Sequence, residues 1–75
     1  MIRVLIFGAS EGGRKVTRML KEDNVEILAY VDNDKEKIGQ KINGKEVISP
    51  EKINEFNYNY ILIASMYFNE IIISK

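Results

Sequence analysis

The residues best suited to chemistry form a glycine-rich turn near the start of the chain, Gly8-Ala9-Ser10-Glu11-Gly12-Gly13. Unpaired N–H groups at the beginning of a helix attract a phosphate, and residues with little Cβ bulk allow it to approach. Gly8 permits a sharp exit from a strand, and Gly13 lets the following helix sit close on a sheet. Ser10 replaces the middle glycine of the G-x-G-x-x-G pattern, and its hydroxyl is able to donate to a phosphate. The turn therefore predicts a phosphate site at Gly8, Ser10, Gly12 and Gly13.

The carboxylate of Asp32 lies nineteen residues after Gly13 and immediately follows a second apolar run. At a strand end, such a carboxylate accepts hydrogen bonds from both hydroxyls of a ribose, and its charge repels a 2′-phosphate. Asp32 therefore favours NAD or an unphosphorylated nucleoside over NADP. The alternative is a solvated acid in a turn, because glycine turns between strand and helix also occur in folds that bind nothing there.

Three apolar runs and one helical pattern supply the elements that must position these residues. The runs at 2–7, 25–31 and 60–65 have strand length, and the third lacks alternation, as expected for a strand buried on both faces. Between the first two runs, apolar residues recur at helical spacing over residues 11–22. Right-handed crossovers then predict a three-layer α/β fragment with a three-stranded parallel sheet of order 2-1-3. The cleft should lie above the carboxyl ends of the first and third strands.

The middle of the chain carries turn signals. Asp34 is expected to cap a short turn over residues 35–38, which Gly39 ends. Asn43-Gly44 is the strongest short hairpin signal because both residues accept positive φ. We expect this small β-hairpin to lie outside the parallel sheet.

Two further helices are predicted towards the end of the chain. Ser49 is expected to cap a helix from Pro50 to about Phe56, with proline at the first helical position. Residues 66–75 have mixed periodicity, and we predict a helix there, although Ile71-Ile72-Ile73 favours a strand.

Composition limits the classes of function. The 75 residues predict a single domain, 1–75, and a domain of this size buries only roughly 60% of its unfolded surface. The charges of eleven basic and eleven acidic residues cancel, so we expect no binding to nucleic acid or to a membrane surface. No apolar run approaches the roughly 18 residues of a membrane span, and cysteine is absent, which together predict a cytoplasmic location. An exposed edge on the third strand predicts a homo-oligomer, a homodimer in the simplest case.

The sequence contains no complete catalytic motif. Ser49-Pro50-Glu51-Lys52 spells S-x-x-K, but a capping serine explains Ser49 and the other elements of that active site are absent. None of the tyrosines has a lysine four residues later, and the chain contains no histidine. A metal site at Asp32 and Asp34 is disfavoured against a solvated loop. We predict no catalytic residue and no metal ligand.

A set of motifs, taken in order, resembles the Rossmann-like N-terminal nucleotide-binding domain of bacterial sugar-modifying proteins. That group includes polysaccharide-biosynthesis nucleotide-sugar epimerases/dehydratases and sugar acyltransferases of the sialic-acid O-acetyltransferase type, and related domains are described as CoA-binding. The motifs are Gly8 to Arg14, Val31-Asp32-Asn33-Asp34-Lys35, Ile42 to Ile48 and Ile61-Leu62-Ile63-Ala64-Ser65.

The resemblance implies binding rather than catalysis. It assigns the glycine turn to a phosphate and Asp32 to a ribose, and it places Ala64 and Ser65 across the ligand cleft. The implied ligand is NAD or a nucleotide-sugar, with CoA as a further possibility. It also implies a module, or a truncated part of a larger enzyme, whose catalytic domain is a separate partner. The alternative function is a regulatory ligand sensor or an oligomerisation domain.

Overall fold

The fold is built on a six-stranded sheet. A computed structural model describes residues 1–9, 13, 17, 24–64 and 71–74, the last segment by its backbone alone. The strands are β1 (Ile2–Phe7), β2 (Val25–Val31), β3 (Lys41–Ile42), β4 (Lys45–Ile48), β5 (Tyr60–Ile63) and β6 (Ile71–Ser74). Their order in the sheet is β3-β4-β2-β1-β5-β6, and a 3-10 helix, Pro50–Glu55, lies between β4 and β5 in the chain.

The four central strands are parallel, whereas β3 and β6 run antiparallel to their neighbours. The three predicted strands are adjacent in their predicted relative order, as β2-β1-β5. The prediction of a sheet with three strands was wrong, because β4, β3 and β6 extend it to six. The hairpin does not lie outside the sheet, because β4 pairs with β2 through Tyr30↔Val47 and Val31↔Ile48. The sheet is therefore a mostly parallel, mixed α/β-type sheet.

The segment Ile71–Ser74 is a strand, not part of the predicted helix over residues 66–75. Its three consecutive isoleucines have branched Cβ atoms, which favour extended backbone. β6 pairs with β5 over its whole length, from Tyr60↔Ser74 to Ile63↔Ile71. The edge of β5 on which the homodimer prediction rested is therefore covered by the chain's own β6.

Each face of the sheet carries its own apolar cluster. One cluster contains Val4, Ile6, Ala9, Tyr30, Ile42, Val47, Leu62 and Ala64. The other contains Leu5, Ala29, Val31, Ile48 and Ile61, and Ile53 of the 3-10 helix packs against it with Phe56. A register shift between Val4 and Leu5 leaves Leu28 of β2 without a partner on β1. Because of this irregularity, Ile27 and Tyr30 face the same side of the sheet.

Of the predicted helix over residues 11–22, the structure describes Gly13 and Thr17, and both are helical. Both contact the first cluster, because Gly13 lies against Ile6 and Thr17 is hydrogen-bonded to Tyr30. The rest of that predicted helix lies outside the described residues.

The turn predictions in the middle of the chain are confirmed. The N–H of Glu36 donates to Asp34 Oδ1 at 3.0 Å, and Gly39 ends the turn with φ 93°. Asn43 and Gly44 have φ values of 51° and 80°, the positive angles that this two-residue hairpin turn requires.

The predicted cap at Ser49 was wrong in its mechanism. Ser49 has extended backbone before the helix, but its side chain makes no capping hydrogen bond. Pro50 occupies the first helical position as predicted, and the six residues form a 3-10 helix. Its hydrogen bonds include those from Lys52 N–H to Ser49 O and from Phe56 N–H to Ile53 O.

Candidate functional site

Three of the predicted site residues, Gly8, Asp32 and Ala64, each follow the last residue of a parallel strand. Since carboxyl ends of parallel strands meet at one edge of a sheet, the three lie side by side. Their N–H groups donate to the carbonyl at the end of the adjacent strand: Gly8 to Val31 at 2.7 Å, Asp32 to Ile48 at 3.1 Å and Ala64 to Phe7 at 3.0 Å.

Gly8 turns the chain at this edge in a conformation that favours glycine. Its φ is 124°, and a Cβ there would lie 2.6 Å from the carbonyl oxygen of Ala64. A side chain at Gly8 would therefore be strained and also crowded against the end of β5.

Gly13 lies directly against the turn that Gly8 begins. A Cβ added to Gly13 would run into the carbonyl oxygen of Gly8, and Ile6 Cγ2 would be 3.6 Å away. This is the close packing of helix on strand that the sequence predicts for Gly13. The same packing brings the helical residues to the end of β1, where the predicted phosphate site lies.

Asp32 uses both carboxylate oxygens to hold the backbone at this edge. Its Oδ2 accepts from the N–H of Ala9 at 2.9 Å, and its Oδ1 accepts from the N–H of Asp34 at 2.8 Å. A carboxylate offers roughly four acceptor positions, and these two bonds use two of them. The side chain is only partly buried.

The environment of Asp32 stabilises its charged form. Partial burial by itself raises the pKa of the carboxyl, but the hydrogen bonds from Ala9 and Asp34 oppose that effect. The positive charge of Lys37 and the N–H of Asn33 act in the same direction, and the pKa lies below its ordinary value of 3.8. Asp32 is therefore a carboxylate at neutral pH, an acceptor suited to hydroxyl groups and unsuited to donating a proton.

Ala64 is buried at 8% exposure, with its carbonyl close to Gly8. Its observed contact is thus with the glycine turn. The remaining predicted site residues, Ser10, Gly12 and Ser65, lie outside the described residues. The structure brings Gly8, Gly13, Asp32 and Ala64 to one edge.

A pair of hydroxyl groups that joins the helix to β2 was not found from the sequence. Thr17 Oγ1 donates to the carbonyl of Gly13 at 2.8 Å and lies 2.7 Å from the hydroxyl of Tyr30. Because the single proton of Thr17 is used on Gly13, Tyr30 is the donor of the second bond. Tyr30 is fully buried, at 0% exposure, and this bond satisfies its hydroxyl. A tyrosine among the apolar residues at the end of β2 was the available signal.

The described part of the chain contains no group of three or more acidic, histidine or cysteine side chains able to hold a metal ion. Nor does any helix within that part have the length and apolar character needed to cross a membrane.

Comparison with known proteins places the chain in a family. The model of the family described as "C2185-like, N-terminal" matches residues 1–74. The chain belongs to the C2185-like N-terminal family. A search of curated proteins found no match.

A solved structure has the same fold. The crystal structure of UDP-D-quinovosamine 4-dehydrogenase from Vibrio fischeri superimposes with a TM-score of 0.73 at 24% sequence identity. The match covers 83% of this chain and 55% of that chain, so this C2185-like domain spans about half the length of that relative. The likeness shows that the chain shares the fold of that structure over the matched region.

Proposed function

We propose that this C2185-like domain binds a nucleotide, either NAD or a nucleotide-sugar, at the carboxyl edge of its parallel strands. The observation that carries the proposal is the placement of the Asp32 carboxylate beside the turn at Gly8. In open parallel sheets this is the position where a ribose lies next to a phosphate-binding turn. The ionised state of Asp32 supports the same role, because ribose hydroxyls donate to a carboxylate.

The associated chemistry is the modification of sugars, with the catalytic groups on another domain or chain. The structural neighbour is a dehydrogenase acting on a UDP-sugar, which supports this assignment. The described site offers backbone groups and one ionised carboxylate. That arrangement suits binding and orientation, and it provides no group poised for proton transfer at neutral pH.

A structural role for Asp32 is the competing explanation, and the two backbone bonds to Ala9 and Asp34 favour it. In that case Asp32 fastens the turn, and no ligand contacts it. The alternative function, a regulatory ligand-sensing or oligomerisation domain without catalysis, does not require Asp32 to contact a ligand.

Isothermal titration of the chain with NAD, NADP, UDP-N-acetylglucosamine and CoA separates these explanations. Asp32→Asn should weaken NAD binding by about 1.5–3 kcal/mol, the range for a hydrogen bond to a charged group. It should weaken NADP binding less, since removal of the charge also relieves repulsion of the 2′-phosphate. Glu46→Gln, on the exposed side of β4, removes the same charge elsewhere and serves as control.

Binding of none of the four compounds up to about 1 mM would overturn the proposed function. An NAD-to-NADP affinity ratio that is the same in the parent and in Asp32→Asn would remove Asp32 from the site.

A further inference from the structure

Only part of strand β2 is paired on both sides. Its inner side pairs with β1 along its length, from Ile2↔Val25 to Phe7↔Val31. On its outer side β4 pairs with the last two residues alone, Tyr30 and Val31. Within the described part of the chain, no strand pairs with the outer edge of β2 before Tyr30.

The backbone groups that face this outer edge belong to Val25 and Ile27, and no described strand pairs with them. The carbonyl of Asn24 accepts from the N–H of Ile2 at 2.7 Å and so points towards β1. Backbone groups of successive strand residues point alternately to the two sides, so those of Glu26 also face β1. The N–H and C=O groups of Val25 and Ile27 therefore face outward, about 6.6 Å apart along the strand.

An open groove of about 440 Å³ runs beside the same edge. Met1, Val25 and Ile27 give it apolar walls, and Glu26 and Lys45 place opposite charges along it. Val25 and Ile27 are only half-buried, and Met1 is 77% exposed. As far as the described residues show, the groove thus combines an open apolar surface with backbone donors and acceptors that no strand pairs.

We propose that this groove binds an extended peptide segment of a partner protein, which adds as a strand to the outer edge of β2. An extended chain repeats its donors and acceptors at the spacing of Val25 and Ile27, and alternate side chains then point into the groove. The segment has an apolar residue for the groove and charged residues of both signs near Glu26 and Lys45. A small molecule would fill the groove but leave the backbone edge unpaired.

This peptide site is separate from the proposed nucleotide site. The two edge residues, Val25 and Ile27, lie seven and five residues before Asp32, which is about 23 and about 16 Å of extended chain. Loss of nucleotide binding therefore does not predict loss of peptide binding, and the two proposals fail independently.

The test uses amide hydrogen exchange, measured by NMR, and an acetylated, amidated peptide Lys-Val-Thr-Val-Glu. In the free protein the amides of Val25 and Ile27 should exchange much faster than that of Glu26. Saturating peptide should slow exchange at Val25 and Ile27 at least about tenfold, the effect of one added hydrogen bond of ordinary net strength. Two versions of the peptide carry N-methyl groups on alternate residues, so that each has lost the N–H donors of one of its two edges. The version methylated on the edge that pairs with β2 should not bind, and the other should.

Ile27→Pro removes an outward N–H without breaking a bond to β1, and proline is tolerated at strand edges. It should lower the affinity for the peptide about tenfold, while Ile27→Val keeps it. Slow exchange of Val25 and Ile27 in the free protein would overturn the proposal, because the edge would already be covered. So would absence of binding up to about 1 mM peptide, or equal binding of both N-methylated peptides.

Discussion

The Oδ2 atom of Asp32 lies 2.9 Å from the backbone nitrogen of Ala9, and this hydrogen bond joins the end of β2 to the turn that follows β1. The bond makes Asp32 a support for the glycine turn, whatever ligand the turn holds. Substitution of Asp32 should therefore change the stability of the fold as well as ligand binding.

Asp32→Asn should lower the free energy of unfolding at pH 7 by about 1–3 kcal/mol, because the charged acceptor of two backbone bonds is lost. The pKa of Asp32 is lowered by folding, so its contribution is fully present above the ordinary value of 3.8. The contribution disappears as the pH falls through the lower pKa of the folded state. Urea unfolding at pH 7 and pH 3 should therefore show a smaller difference between parent and variant at pH 3. A difference that does not shrink would contradict the stabilising role.

Gly8→Ala should destabilise the fold by about 2–4 kcal/mol, combining a left-handed conformation with overpacking against the carbonyl of Ala64. Gly39→Ala is the matched control. Gly39 also has positive φ, at 93°, but a Cβ there meets nothing within 4 Å. Thermal unfolding of both variants measures how much stability each loses, and the difference between them is the cost of packing against Ala64. Equal losses of stability would show that Ala64 moves to accommodate the added methyl group.

Thr17→Val should cost about 1–3 kcal/mol, because it leaves the hydroxyl of the fully buried Tyr30 without a partner. Adding Tyr30→Phe should recover most of this loss, since both polar partners are then gone. Chemical denaturation of the two single variants and the double variant gives the coupling energy. Additive losses would mean that the two hydroxyls do not depend on each other.

Ser49→Ala should change the free energy of unfolding by less than about 0.5 kcal/mol. Loss of a working cap typically costs about 1 kcal/mol, but the Ser49 side chain makes no capping bond. Urea unfolding measures the difference, and a loss near the typical value would show that Ser49 caps the helix in solution.

Local signals predicted much of the chain correctly because their causes are local. The positive φ angles of Asn43 and Gly44 and the turn at Asp34 depend on a few neighbouring atoms. The position of Asp32 next to Gly8 followed from the rule that carboxyl ends of adjacent parallel strands share one edge.

Local sequence signals could not predict which strands pair when the strands are far apart in the sequence. The apolar residues Val47 and Ile48 indicate a strand of the hairpin, but only the complete sheet shows that they pair with β2. The isoleucines at 71–73 fit either a helix or a strand by themselves, and their pairing with β5 decides the outcome. At Asp32, the sequence suggested a free acceptor for ribose, whereas the fold directs two backbone N–H groups at it.

The pairing of β1 with β5 also has a consequence for biosynthesis. Val4 lies beside Tyr60, so the centre of the sheet joins residues 56 positions apart. A ribosome adding roughly 5–20 residues per second would leave one side of β1 unpaired for seconds after that strand emerges. During that interval an apolar, β-prone strand is available to chaperones and to other nascent chains. Slow codons before Tyr60 would lengthen the exposure, so aggregation during expression should respond to translation speed.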